Sequence, residues 1–109
     1  MKCRIWRGKT TVENSSAYIT LLKSVVLPSI KWVDGYRGGI LLSKADKESN
    51  SIEFTTLTFF NSIDAIKLFA GENYTLAVVP EIATKLLKEY DKVVEIMDVQ
   101  YSDSELNLL

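Results

Sequence analysis

Apolar and polar positions alternate from the start of the chain. In CRIWRGK, Cys3 to Lys9, one side carries Cys3, Ile5 and Arg7 and the other Arg4 and Trp6, the period of two expected of a strand. Thr10-Thr11-Val12-Glu13 follows with the Thr-x-x-Glu spacing of a capping box, so a helix capped by Thr10 is expected there. Ala17, Tyr18, Leu21, Leu22, Val25 and Val26 then recur at helical spacing. Pro28 removes an interior hydrogen bond and bends the run, whose last turn through Ile30, Trp32 and Val33 ends at Gly35.

YRGGILLSK, Tyr36 to Lys44, reads as a second strand loosened by its two glycines, and a polar turn from Ala45 to Ser51 leads into a third, IEFTTLTFF. That strand sets Ile52, Phe54, Thr56, Thr58 and Phe60 against Glu53, Thr55, Leu57 and Phe59, and is apolar on both sides. Ser62 caps a short helix with Asp64 in its first turn and Gly71 as its stop. After a loop from Glu72 to Val79, Pro80 opens a second helical piece whose stripe is Ile82, Ala83, Leu86, Leu87 and Tyr90. KVVEIMDVQY, Lys92 to Tyr101, alternates again and gives the fourth strand, and the acidic end from Ser102 to Leu109 is expected to fray.

The order βαββαβ is that of the split βαβ or ferredoxin-like motif, an α+β fold with a four-stranded antiparallel sheet. Right-handed crossovers put both helical regions on one face of the sheet. Yet Ile40 and Leu42 oppose Leu41, Phe54 and Phe60 oppose Leu57 and Phe59, and Ile96 opposes Met97 and Val99, so both faces ask for burial. A second copy packed on the helix-free face answers this, because a monomer rarely exposes an apolar patch of more than a few hundred Å². The expected protein is a homodimer of single-domain chains, residues 1–109, with 102–109 as a tail.

Composition narrows the field further. A chain of 109 residues suits one domain, and 47% apolar with 25% charged residues is ordinary for a globular protein. No apolar run is long enough to span a bilayer and the N-terminus lacks a signal-peptide pattern, so a cytoplasmic protein without membrane association is expected. The net charge is −1 and the lysines are scattered, which argues against nucleic acid. The chain has no His, which removes the usual general base, haem ligand and zinc ligand, and neither cofactor nor metal is expected. Its single cysteine, Cys3, reads as a small buried thiol.

Four stretches taken together carry a family resemblance: RIWRGKT, LPSIKWVDGYRGGILL, TFFNSIDAIKLFAGENYTLAVVPE and LLKEYDKVVEIMDV. Over nearly its whole length the chain resembles the antibiotic biosynthesis monooxygenase family of dimeric α+β barrels. That family includes cofactor-free oxygenases of aromatic compounds, haem degraders and members without demonstrated activity. The resemblance therefore implies a dimeric barrel and a small monooxygenase acting on a hydrophobic aromatic or quinone-like compound, or a non-catalytic barrel that binds a small ligand or serves in assembly. The Asn, Trp and His of the haem degraders align approximately with Arg7, Phe60 and Val78, and a last-strand His of many relatives with Ile96, which argues against haem degradation.

Cofactor-free oxygenation needs a group to take a phenolic proton, a cation to hold the resulting anion and a dry aromatic pocket. Arg4, Tyr36, Arg37 and Tyr74 are the candidate catalytic groups, with the arginines as anion clamps and the tyrosines as proton carriers. Trp6, Trp32, Phe60, Asn61 and Glu95 are the candidate substrate-binding groups. The structural alternatives are as concrete: Trp6 packs on a helix or across the dimer, Arg4 and Arg7 pair with carboxylates, and Tyr36-Arg37 belongs to a bulged turn. Asn61 belongs to the cap of the following helix on that reading. Glu95 is the one carboxylate set in an apolar run, a candidate for a raised pKa if buried and a structural partner if it meets a base.

Overall fold

A computed structural model describes residues 1–103, so the expectation of a frayed end falls mostly outside the described residues. Five strands and four helices follow in the order β1 (Lys2–Thr11), α1 (Val12–Leu21), α2 (Leu27–Ile30), β2 (Tyr36–Asp46), β3 (Ser51–Phe60), α3 (Ile63–Ala70), α4 (Glu81–Thr84), β4 (Leu87–Tyr90) and β5 (Glu95–Asp98), with a π-helical stretch, Leu22–Val26, between α1 and α2. The sheet is antiparallel in the order β2-β3-β1-β4, and β5 also pairs with β1. This is the ferredoxin-like α+β arrangement, with its helices on one side of the sheet. No helix among the described residues is long and apolar enough to cross a membrane.

Two local expectations are corrected. Thr11, not Thr10, caps α1, accepting from the Asn14 N–H at 3.1 Å. Thr10 remains in β1 opposite Ile52 and is fully buried, because the strand keeps its pairing for one more residue. The second correction concerns the stripe from Ile82 to Tyr90. Only Glu81–Thr84 is helical, and Leu87–Tyr90 is a strand laid against Gly8–Thr10. The second edge of β1 would otherwise leave its backbone groups unpaired there, and unpaired buried amides are costly. The fourth strand is thus made in two pieces on one edge, β4 beside the end of β1 and β5 beside Lys2–Ile5. Asp91 donates its N–H to Arg7 O at 2.9 Å between them.

The bend expected near Pro28 appears one turn earlier as the π-helical stretch, where the Leu27 N–H reaches back to Leu22 O. The extra residue in that turn rotates the helix, so Tyr18, Leu21, Leu22 and Ile30 point inward while Val25 is exposed. Tyr18 and Phe54 meet with ring centroids 4.8 Å apart at the centre of the larger core cluster. A second cluster gathers Ile30, Phe60, Ala65 and Ile66. Each such fully buried large apolar side chain contributes roughly 2 kcal/mol.

The connection to β2 turns at Gly35, whose φ of 90° suits glycine and where a Cβ would lie 2.6 Å from Ala65 Cβ. Ser62 caps α3 as expected, accepting from Ala65 N–H at 3.2 Å. On the opposite sheet face Cys3, Ile5 and Phe59 form a third cluster with Met1, Ile40, Leu57 and Val99. At its margins Leu42 is 48% and Met97 56% exposed.

Candidate functional site

The helix side of the sheet puts two polar pairs in register. Arg4 lies opposite Thr58 and Trp6 opposite Thr56, and all four belong to the inward set of their strands. Together they floor a cavity between the sheet and the helices. Tyr18, Leu22, Val26, Leu27 and Ile30 of the first helical run form one wall, and Phe69 with Val78, Val79, Pro80 and Ala83 forms the other. The space open to the centre of a water-sized sphere is about 50 Å³. One water needs roughly 10–15 Å³ on that measure, so the recess holds a few waters or the head of a small ligand.

Arg4 dominates the electrostatics of this cavity. It is only 6% exposed, it donates from Nη2 to Leu76 O at 2.9 Å, and its guanidinium carbon stands 5.2 Å from the Phe69 ring centroid. Its Nε has no hydrogen-bond partner, and no carboxylate of the described residues forms an ion pair with it. Burial lowers its pKa to about 10, which leaves it cationic at neutral pH. Thr56 Oγ1, also buried, makes no hydrogen bond of normal geometry. Thr58 turns its hydroxyl to Arg4 O at 3.4 Å. Burial pushes the Tyr18 phenol up to about 12, with the nearby Thr56 hydroxyl opposing the rise only in part. Tyr18 is therefore a proton-bearing donor here and a poor base.

Trp6 is held by its indole N–H on Asp91 O at 2.8 Å and by the Tyr90 ring, with centroids 6.0 Å apart. Arg4 and Trp6 are thus the two expected site residues that the fold brings to the cavity. Phe60 stands one layer behind, fully buried, stacked on Phe69 at 6.0 Å and edge-on to Tyr36 at 5.5 Å. Tyr36 packs its hydroxyl where a Cβ on Gly39 would come within 2.7 Å, and burial raises its pKa.

The other expected residues lie elsewhere. Arg37 and Asn61 meet each other, Nη1 to Oδ1 at 3.1 Å, at the exposed strand-to-helix corner, where Asn61 N–H also donates to Gly35 O at 2.8 Å. Tyr74 packs beside the second core cluster, with Lys67 Nζ 5.6 Å from its ring centroid. Trp32 is 91% exposed just past α2. Glu95 is exposed and bonded to Arg7 at 2.6 Å, the structural role for a carboxylate that meets a base. Arg7 is held above its usual pKa by that bond.

Sequence reasoning passed over Thr56, Thr58, Tyr18 and Phe69. A legible signal existed for the threonines: they are the hydroxyl-bearing positions in an inward row otherwise filled by Ile52, Phe54 and Phe60. Phe69 reached Arg4 only through the placement of α3 over the sheet.

No family model matches the chain, and no curated protein matches it. Among solved structures it is similar to that of Rv0793 from Mycobacterium tuberculosis, with a TM-score of 0.59 over 93% of this chain and 96% of the other. At 18% identity this likeness concerns the fold.

Proposed function

We propose that the chain is a single-domain, small-molecule-binding α+β protein that works as a homodimer. The observation that carries the binding reading is the Arg4–Trp6 cavity, a recess between sheet and helices that joins a buried cation to an aromatic wall. Ligand sites are commonly concave and apolar with a few convergent polar groups, and this one has that composition on a small scale. The dimer is supported by the helix-free sheet face, where an apolar cluster is rimmed by exposed Leu42 and Met97. Permanent homodimer interfaces run from about 2,000 Å² upward and are apolar, which suits a whole sheet face.

Cofactor-free oxygenation of a hydrophobic aromatic or quinone-like compound, the activity that the family resemblance implies, is the second reading. Arg4 beside Trp6 favours it, since an anionic ring held against an aromatic wall is what such chemistry starts from. The lining contributes no carboxylate among the described residues, and Tyr18 keeps its proton. A substrate would have to ionise without help from a base in the cavity. Arg37, Asn61 and Tyr74 would serve in structure rather than chemistry on either reading.

The test is emission from Trp6 in a Trp32→Phe protein, titrated with single-ring aromatic compounds. Saturable changes support a ligand site, and their absence across charged and neutral rings removes it. Oxygen uptake with an acidic polyphenol, dependent on Arg4, separates the second reading from the first.

A further inference from the structure

We propose that the cavity is an anion-selective subsite, in which Arg4 and Thr56 hold the charged head of a compact, single-ring aromatic monoanion such as a carboxylate or phenolate. This rests on the reading of the cavity as a ligand site and adds the class of ligand it takes. The starting point is an imbalance. Arg4, a residue only 6% exposed, carries its charge at neutral pH with no carboxylate paired to it among the described residues. Leaving a buried charge without a counter-charge is strongly unfavourable, so such groups are normally paired. Leu76 O satisfies one edge of the guanidinium and the Phe69 ring covers its face, which leaves the Nε without a partner.

The neighbouring polar groups point to the same ligand. Thr56 sits opposite Trp6, next along the inward row from the Arg4–Thr58 pair, and its buried hydroxyl lies near the Tyr18 phenol but makes no hydrogen bond of normal geometry. Tyr18 brings a phenol that keeps its proton. Trp6 has its N–H committed to Asp91 O, so it offers the cavity a ring rather than a donor. Guanidinium and hydroxyl donors therefore dominate the free polar capacity. A head group rich in acceptors and carrying one negative charge complements that set, and charge-assisted hydrogen bonds to it are about twice as strong as neutral ones. The remaining lining is apolar, so the small recess takes the head group and its apolar walls and Trp6 offer a surface to a flat hydrocarbon body of no more than one ring.

The experiment uses the full chain with Trp32→Phe, so that emission reports Trp6, and titrates it with benzoate, its neutral isostere benzamide and inorganic phosphate. Benzoate should bind saturably, with benzamide at least tenfold weaker and phosphate weaker still for want of a ring. Arg4→Gln, which keeps an amide donor near Leu76 O, should lower benzoate affinity tenfold or more and leave benzamide unchanged. Thr56→Val, which removes a hydroxyl without a hydrogen bond of normal geometry and is expected to fold, should weaken benzoate several-fold and spare benzamide. If Arg4→Gln does not fold, the Thr56→Val comparison decides. Benzamide binding as tightly as benzoate, or benzoate affinity indifferent to both substitutions, would overturn the anion selectivity while leaving the ligand site standing. Failure of every ring compound, charged and neutral, would remove the site itself.

Discussion

The Arg4 guanidinium carbon stands 5.2 Å from the centroid of the Phe69 ring, and Phe69 is in turn stacked on the buried Phe60. The contact joins the first strand to the last turn of α3 and gives the buried cation a π face in place of a counter-ion. Phe69→Leu keeps most of the apolar volume and removes that face. A loss of about 1 kcal/mol is expected, read as a lower urea midpoint at unchanged slope. An unchanged midpoint would mean that the ring serves only as filler.

Light scattering of the dilute protein should give twice the 12.3 kDa chain mass. Leu42→Glu, placed at the exposed margin of the helix-free apolar cluster, should shift the population to monomer and lower the melting temperature. Trp32→Ser, just past α2, should leave the mass unaltered. A stable monomer of the unsubstituted chain at micromolar concentration would refute the assembly.

The two threonines at the start of α1 should answer substitution with opposite signs. Thr11→Ala removes the hydroxyl that accepts from Asn14 N–H and should cost about 1 kcal/mol. Thr10→Val replaces a fully buried hydroxyl without a partner by a methyl group of the same shape and should be neutral or stabilising, by up to roughly 1 kcal/mol. Chemical denaturation of both variants checks this, and a loss in Thr10→Val comparable to that in Thr11→Ala would contradict the observed cap.

Asp46, at the turn between β2 and β3, titrates below its usual value because Ser49 hydrogen-bonds it and Lys9 lies 3.3 Å away. A carboxyl whose folded pKa is lowered adds stability above its unfolded value of 3.8, and that addition is lost as the pH falls through the folded value. Melting temperatures of the unsubstituted chain should therefore decline below about pH 4 more steeply than those of Asp46→Asn. Parallel curves for the two proteins would exclude Asp46 from the acid response. The carboxyl is partly open to solvent, so the effect should be small and should shrink in salt.

What the sequence by itself determined is what depends on neighbours along the chain. The period-two rows of β1 and β3 fixed which residues share a face, Ser62 and Gly71 bounded α3, and the order of elements led to the ferredoxin-like sheet. Arg4 and Trp6 were legible as one face of one strand, and they remain together in the cavity. Tertiary structure decided whatever depends on residues distant in sequence. Leu87–Tyr90 has a helix-compatible stripe, yet the open edge of β1 supplied backbone partners that a helix would have left unpaired. Phe69 and Thr56 are separated from Arg4 by much of the chain, so their meeting follows from how α3 and β3 lie against β1, and no local pattern encodes it. Arg37, Asn61, Tyr74 and Trp32 had the right chemistry for a site, but their elements hold them at a corner, beside a lysine or in solvent. Side-chain type is written in the sequence, whereas the direction in which a side chain points into shared space is set only when the layers pack.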